Sequence, residues 1–199
     1  KIACNSQKIL DYFGPIPRGN DIPRVNIKED PLNGELKRKF YDPNIQIPMG
    51  LVSYRTPSMK DREAYVLDMI SSILSGGKSS RLYKKMVDED KIALAVQAGG
   101  RYDQAYGTFT ILALPLGETS LETLTEEIDK GIRDLQTEMI SEREFEKINN
   151  QIETAFVQKN TGILGITSSL ASYHLLYDDT SLINNEIEIY RSVTREDIM

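Results

Sequence analysis

The sequence feature that most constrains the fold is the glycine pair Gly76-Gly77, which separates two segments with helical patterns. Apolar residues recur at helical spacing over about 60–75, and a second, shorter helical pattern follows the glycines. Because glycine tolerates the backbone conformations that end a helix, the first helix is predicted to stop at this pair. A strand is predicted to follow over Ile92–Arg101. This order is common in α+β domains, so the order alone indicates no particular function.

Two neighbouring segments predict an antiparallel hairpin. Ile92–Arg101 and Ala105–Leu114 flank a polar turn at Asp103-Gln104, and the second segment is apolar enough to be central in its sheet. Earlier in the chain, Glu35–Tyr41 and Ile45–Tyr54 also have the composition of strands. The sheet is therefore predicted to contain these four strands.

The chain beyond Pro115 is helical in character throughout. The order of elements predicts an α+β fold, in which an antiparallel sheet has helices packed on one face. Apolar stripes along the helices are spaced for burial against that face. The residues predicted to be buried together are Leu67, Ile70, Leu82, Met86, Phe109, Ile111, Leu124, Ile128, Phe145 and Ile152.

The length of the chain limits the number of domains. A chain of 199 residues is long enough for one substantial core, or for two small ones fused. The whole range 1–199 is interpreted as one domain, in which the proline-dotted segment 14–34 is a linker-like lead-in. The first residues have the pattern of a helix entered partway, so the chain is interpreted as a fragment of a longer protein.

Composition and charge exclude several classes of function. The formal net charge of −6 argues against a nucleic-acid partner, which usually requires a basic face. No apolar run approaches the roughly 20 residues of a membrane-spanning helix. No polybasic run indicates a membrane-surface site. The single cysteine, Cys4, allows no intrachain disulfide and leaves the cellular compartment undetermined.

Several stretches resemble one enzyme family in their order and spacing. The stretch LSGGKSSRLYKKMVDEDKIALAV at 74–96, followed by YGTFTI at 106–111, is similar to the second-domain signature of the M16 metallopeptidases. This is the family of insulinase and mitochondrial processing peptidase. Tyr12–Pro17, Tyr54–Pro57 and Val193–Ile198 resemble further landmarks of the family. The resemblance covers nearly the whole chain and implies the LuxS/MPP-like metallohydrolase fold.

The resemblance also implies where zinc chemistry would reside. M16 peptidases hold zinc with His-x-x-Glu-His and a downstream glutamate, because two imidazoles bind the metal and a carboxylate activates its water. This chain has one histidine, His174, which cannot form that site and is interpreted as structural. The resemblance thus implies no catalytic residue, no metal ligand and no cofactor in this segment. Zinc is expected in another domain of the parent enzyme.

A substrate-contacting pair of the family has counterparts in this sequence. Some domains of the M16 family contact substrate with an arginine and, further along, a tyrosine. Aligned on the hydrophobic frame, these clamp positions are Val87 and Leu94 here, so no substrate-binding residue is predicted. Arg81 and Tyr83 lie nearby and are interpreted as helix-packing and ion-pairing residues.

Two functions are consistent with these features. The first is the non-catalytic domain of a bacterial-type M16 zinc metalloendopeptidase, inactive alone, which forms part of a peptide-enclosing chamber. Its implied partners are an N-terminal zinc-bearing domain of the same chain, a homologous partner subunit and a peptide substrate. The alternative is a stand-alone assembly or interaction module derived from the M16 fold. A His-x-x-Glu-His motif in the full-length reading frame would favour the first.

Overall fold

The computed structural model describes residues 2–23 and 30–199. The chain divides into two compact units, with the boundary between Leu36 and Lys37. The predicted lead-in 14–34 belongs to the first unit, and its residues 24–29 lie outside the described part.

The described part of the first unit forms helix α1 (Ile2–Phe13) followed by extended chain. The helix ends at Gly14, whose N–H donates to the carbonyl oxygen of Leu10 at 2.9 Å. Pro15 and Pro17 follow, and neither has an N–H for a further helical hydrogen bond. Proline therefore separates α1 from the chain that leads to the second unit.

The second unit contains the sheet and six α-helices within its described residues. Its strands are β1 (Gly50–Thr56), β2 (Ala93–Tyr102) and β3 (Gly107–Pro115). Its α-helices are α2 (Arg62–Ser75), α3 (Leu121–Thr137), α4 (Glu142–Lys159), α5 (Ile163–Ser172), α6 (Leu182–Arg191) and α7 (Arg195–Ile198). Tyr83–Glu89, here called the connecting helix, and Tyr173–Tyr177 have π-helical geometry. No helix in the described ranges is both long and apolar enough to cross a lipid bilayer.

The three strands form one antiparallel sheet in the order β1-β3-β2. Strands β2 and β3 are the predicted hairpin, with Tyr102 opposite Gly107 beside the turn. Strand β3 is central, as its apolar sequence predicts, because it pairs on both sides. Helices pack against one face of this sheet, so the predicted α+β class is confirmed.

One predicted strand is wrong and another is shorter than predicted. Residues Glu35–Tyr41 form no strand, and the predicted strand Ile45–Tyr54 begins only at Gly50, as β1. Three consecutive cations, Lys37–Lys39, leave neither side of the first segment apolar, so pairing it would bury little apolar area. Pro48 lacks the N–H that a strand ladder uses, which places the start of β1 after it.

The core lies between one face of the sheet and the helices that cover it. Six of the predicted core residues are buried: Leu82, Met86, Phe109, Ile111, Leu124 and Ile128. The other four pack against this core but are only partly buried, so their predicted full burial is wrong: Leu67, Ile70, Phe145 and Ile152.

Helix α2 is rotated relative to the sequence-based prediction. Met69, Ile73 and Leu74 are at most 1% exposed and form its innermost stripe. Leu67 and Ile70 pack against the core but are only partly buried. The helix carries apolar residues around much of its circumference, so the pattern alone does not single out the innermost stripe.

The glycine pair ends α2, as predicted. The N–H of Gly76 donates to the carbonyl oxygen of Ser72 at 2.8 Å. A Cβ atom at Gly76 would lie 2.4 Å from that oxygen, so no larger residue fits without a shift of the backbone. Gly77 has a φ of +103°, a conformation that strongly favours glycine. The turn leads into the connecting helix and from there into β2.

Candidate functional site

The two faces of the sheet differ in how far they are covered. Along β3, Phe109, Ile111 and Ala113 are buried, whereas the alternate residues Thr110 and Leu112 are only half-buried. Successive strand residues point to opposite faces, so the first set faces the helices. The second set lies on the face that the helices of this unit leave accessible. We call it the open face.

The register of the strands places nine open-face residues in three rows that cross all three strands. Directly opposite residues of antiparallel strands share a face of the sheet. Each row takes one residue from β1, one from β3 and one from β2. We name them the leucine row (Leu51, Leu112, Gln97), the hydroxyl row (Ser53, Thr110, Gly99) and the arginine row (Arg55, Thr108, Arg101). The open face thus changes from apolar to polar to cationic along its strands.

The arginine row lies beside the turn that joins β2 and β3. The Cζ atom of Arg55 is 6.0 Å from the ring centroid of Tyr106. The Nε atom of Arg101 is 3.5 Å from Oδ2 of Asp103, and both side chains of this pair are largely exposed. The three strands contain no Asp or Glu. This end of the open face therefore carries two arginines, and Asp103, just beyond β2, pairs with one of them.

The two clamp positions lie in different environments. Val87, in the connecting helix, is partly buried and packs against the core. Leu94 lies in β2 at an irregularity of the register between Ala93 and Ala95, and it is 48% exposed. Neither side chain has a polar group, so neither can form a hydrogen bond to a peptide. That these positions correspond to the family's arginine and tyrosine stays a prediction.

Arg81 and Tyr83 are used within the fold. The Nε and Nη2 atoms of Arg81 donate to the Glu144 carboxylate at 3.0 and 2.9 Å, which joins the segment just before the connecting helix to α4. These hydrogen bonds hold the pKa of Arg81 above its usual value. Tyr83 is partly buried against the core. The structure thus agrees with ion pairing for Arg81 and packing for Tyr83.

A partly buried polar cluster, missed by the sequence analysis, lies among α2, α4, α6 and the π-helical segment Tyr173–Tyr177. Tyr190 Oη donates to Asp68 Oδ2 at 2.9 Å, and the Tyr173 hydroxyl donates to Glu186. Burial raises the pKa of Asp68, and the hydrogen bond from Tyr190 partly offsets this rise. Asp68, Glu186, Tyr190 and Lys159 line a cavity of about 280 Å³. These residues come from helices far apart in sequence, so no local spacing could have revealed the cluster.

Comparison with known families identifies the chain. Residues 6–152, most of the chain, match the model of the peptidase M16 inactive domain. The chain belongs to this family. The resemblance inferred from the sequence motifs is therefore confirmed.

Proteins similar to this M16 inactive domain include bacterial proteases. The chain is 22% identical over 190 residues to the zinc protease PqqE of Helicobacter pylori, a match that covers 92% of this chain and 41% of the relative. A solved structure of a protease from Helicobacter pylori has a TM-score of 0.73 at 21% identity, over 79% of this chain and 38% of that one. A peptidase M16 inactive domain from Pseudomonas fluorescens has a TM-score of 0.66 at 17% identity, over 75% and 36%. These likenesses show a shared fold, and the chain spans less than half the length of each relative.

A catalytic zinc ion has no candidate ligand set among the residues that the structure describes. Such a site needs three protein ligands around the metal. Within the part of the chain that the structure describes, no group of three or more His, Cys, Asp or Glu could hold a metal ion. His174, the one histidine of the chain, is exposed in the second π-helical segment and is not a core residue.

Proposed function

We propose that this chain is the non-catalytic domain of a bacterial-type M16 zinc metalloendopeptidase, and that its open face forms part of the wall of a peptide-enclosing chamber. The observation that carries the proposal is the asymmetry of the sheet, which is covered by helices on one face and accessible on the other. An accessible sheet face presents every second side chain of its strands, so an extended peptide beside it can contact several of them.

The proposal divides the chemistry between domains. PqqE is more than twice the length of the part that matches this chain, so a relative of that size has room for a further domain. We expect an N-terminal domain of the same chain to hold zinc, and a homologous partner subunit to supply the clamp arginine and tyrosine. Val87 and Leu94 offer only apolar contact, so this domain would enclose the peptide without polarising its scissile bond. A stand-alone assembly module is not favoured, because PqqE is named a zinc protease.

Measurements of zinc content and peptidase activity test whether the isolated chain lacks a catalytic site. We expect the purified 199-residue chain to retain no stoichiometric zinc and to hydrolyse no peptide, because it has one histidine. Elemental analysis after dialysis and a peptide-cleavage assay check this. Stoichiometric zinc together with chelator-sensitive cleavage would overturn the assignment of this domain as non-catalytic.

A bulky residue on the open face tests the chamber wall in the full-length protein. Thr110→Trp places a large side chain in the middle of the open face, while aromatic residues remain favourable in strands. We expect kcat/KM for peptide hydrolysis to fall by about tenfold or more, with zinc content unchanged. The matched control is Thr137→Trp, at the exposed end of α3. If both variants behave alike, the open face is not part of the peptide's enclosure.

A further inference from the structure

We infer that the apolar end of the open face is a subsite that receives one aliphatic side chain of an extended peptide. This inference rests on the proposed function, because it names the class of residue that the chamber wall would select. A β-bulge, the exposure of several leucines and the small area of this end carry it. We call the area the leucine patch, and its members are Leu51, Leu94, Ala95, Leu112 and Leu114.

A β-bulge in β2 keeps one additional side chain out of the core. Ala93 is opposite Pro115 and Ala95 is opposite Leu114, so β2 has one residue more than β3 over this step. Ala93 is buried, whereas Leu94 and Ala95 are both exposed. In a regular strand, one of two consecutive residues would face the core. The bulge therefore adds Leu94 to the accessible surface at this end of β2.

The other members of the leucine patch extend the leucine row by one step along the strands. Leu112 and Leu114 are two residues apart in β3, and both are half-buried on the open face. Leu51, opposite Leu112, is 56% exposed. Ala95 lies opposite Leu114 and has the smallest side chain of the patch. An apolar group of a ligand can therefore approach the sheet closely at Ala95 and contact the leucines.

The leucine patch contains no charged group and has one polar neighbour in its rows. The three strands contain no Asp or Glu, and their two arginines lie in the arginine row, at the other end of the open face. Gln97, opposite Leu112, is exposed, and its amide offers both a donor and an acceptor to a peptide backbone. A charged side chain would lose hydration here without gaining a partner, so the patch favours an uncharged aliphatic one.

The size of the leucine patch fits part of a peptide and not a second copy of the chain. Adjacent strands lie about 4.8 Å apart, and alternate residues of one strand lie about 7 Å apart. Two rows across three strands therefore cover an area on the order of 200 Å². A stable dimer buries about 800 Å² on each partner. One or two residues of a peptide match the smaller area, since a single aromatic side chain buries about 150–250 Å².

Nuclear magnetic resonance of the 199-residue chain, with labelled leucine methyl groups, tests this subsite. The probe is acetyl-Thr-Ser-Leu-Ser-Thr-amide, and Ala replaces Leu in the comparison peptide. We expect the Leu peptide to bind about fivefold more tightly, because its larger side chain removes more apolar area from water. The ratio should be the same at about 50 and 500 mM salt, since neither peptide carries a charge. The largest shifts should occur at the methyl groups of Leu51, Leu94, Leu112 and Leu114.

Paired leucine variants assign the preference to the leucine patch. Leu51→Ala with Leu94→Ala should reduce the preference for the Leu peptide to less than about twofold and leave Kd of the Ala peptide unchanged. Ile163→Ala with Leu164→Ala is the matched control, since it truncates two side chains of α5 that are each 84% exposed. If the patch variant does not fold, Ala95→Lys should abolish the preference, because it places a charge in the patch on an edge strand, where lysine is tolerated.

Several results would overturn the inference. They include equal Kd values, no binding of the Leu peptide, larger shifts at other leucines, and a control pair that removes the preference. A dimer of the parent chain that becomes a monomer in the Leu51→Ala, Leu94→Ala variant would assign the patch to a second copy. A full-length protein that does not bind the Leu peptide, although the 199-residue chain does, would show that another domain covers the patch.

The proposed function fails through a different measurement. An unchanged kcat/KM of the full-length Thr110→Trp variant would show that the open face is not part of the enclosure. The preference of the 199-residue chain for the Leu peptide does not depend on that result. The two failures are therefore distinguishable.

Discussion

The covered face and the open face are built from the same three strands, yet their residues differ in burial and in what they contribute to the protein. Ile111 and Leu112 are neighbours in β3, but Ile111 is completely buried whereas Leu112 lies in the leucine row. The covered face stabilises the fold by removing apolar area from water. The open face contributes little burial and keeps its side chains accessible. Because successive strand residues point to opposite faces, one strand contributes both to the core and to the accessible surface. A residue on one face can therefore be substituted without changing the residues of the other face.

The largest expected effect separates the two faces by stability. Ile111→Ala should lower the free energy of unfolding by about 2–5 kcal/mol, because it leaves a cavity in the core. Leu112→Ala, on the open face, should lower it by about 1 kcal/mol or less. Urea denaturation with matched slopes measures both changes. Equal losses would mean that the open face is packed as tightly as the covered one, and the comparison would fail.

A smaller effect concerns the ionisation of Asp68, a partly buried residue of α2. Burial raises the pKa of Asp68 above its ordinary value, so the folded state binds this proton more tightly than the unfolded state. The stability that protonated Asp68 contributes is then fully present at pH values below the pKa of Asp68 in the unfolded state. It is lost as the pH rises through the pKa of Asp68 in the folded state. Asp68→Asn should remove this loss of stability with rising pH, and the amide oxygen of the asparagine can still accept the hydrogen bond from Tyr190.

The measurement is the difference in unfolding free energy between the parent and Asp68→Asn across the acidic pH range. The parent should lose stability relative to the variant as pH rises through that range. Asp134→Asn, at an exposed position on α3, is the control. A difference that moves in the opposite direction would show that Asp68 is stabilised as a carboxylate by its hydrogen bond.

The smallest expected effect is on activity at a clamp position. Val87→Ala removes apolar contacts at a partly buried site and should cost about 1 kcal/mol or less. Peptide turnover by the full-length protein should stay within about threefold of the parent, because valine offers no group that binds a scissile bond. Replacement of the clamp arginine expected in the partner subunit should be far more damaging. Loss of activity in a folded Val87→Ala protein would contradict the description of this domain as a passive wall.

The sequence predicts the fold well where the signal is local. The hairpin follows from two apolar segments with a short polar turn between them, and the end of α2 follows from Gly76-Gly77. The rotation of α2 does not follow, since Leu67 and Met69 are both apolar and only tertiary packing ranks them. Residues Glu35–Tyr41 form no strand, which shows that a strand-like composition is insufficient where pairing would bury little apolar area.

The candidate site is harder to predict than the fold. Arg55 and Arg101 are 46 positions apart in the sequence, and only the register of β1 and β2 on β3 brings them into one row. Motif comparison directs attention to Val87 and Leu94, because those positions are defined by spacing along the chain. Residues that become neighbours only through strand pairing have no fixed spacing along the sequence. A functional surface made from a sheet face is therefore visible only after the register is known.

The strand order β1-β3-β2 also determines when this surface comes into existence. A turn of a few residues joins β2 to β3, whereas Thr56 of β1 pairs with Gly107 across about fifty intervening residues. Closing so long a loop loses more chain entropy than closing the hairpin, so β1 is expected to dock after the hairpin has formed. A folding chain would then expose Arg101 on a two-stranded hairpin before Arg55 arrives beside it. The arginine row would be among the last features of this domain to form.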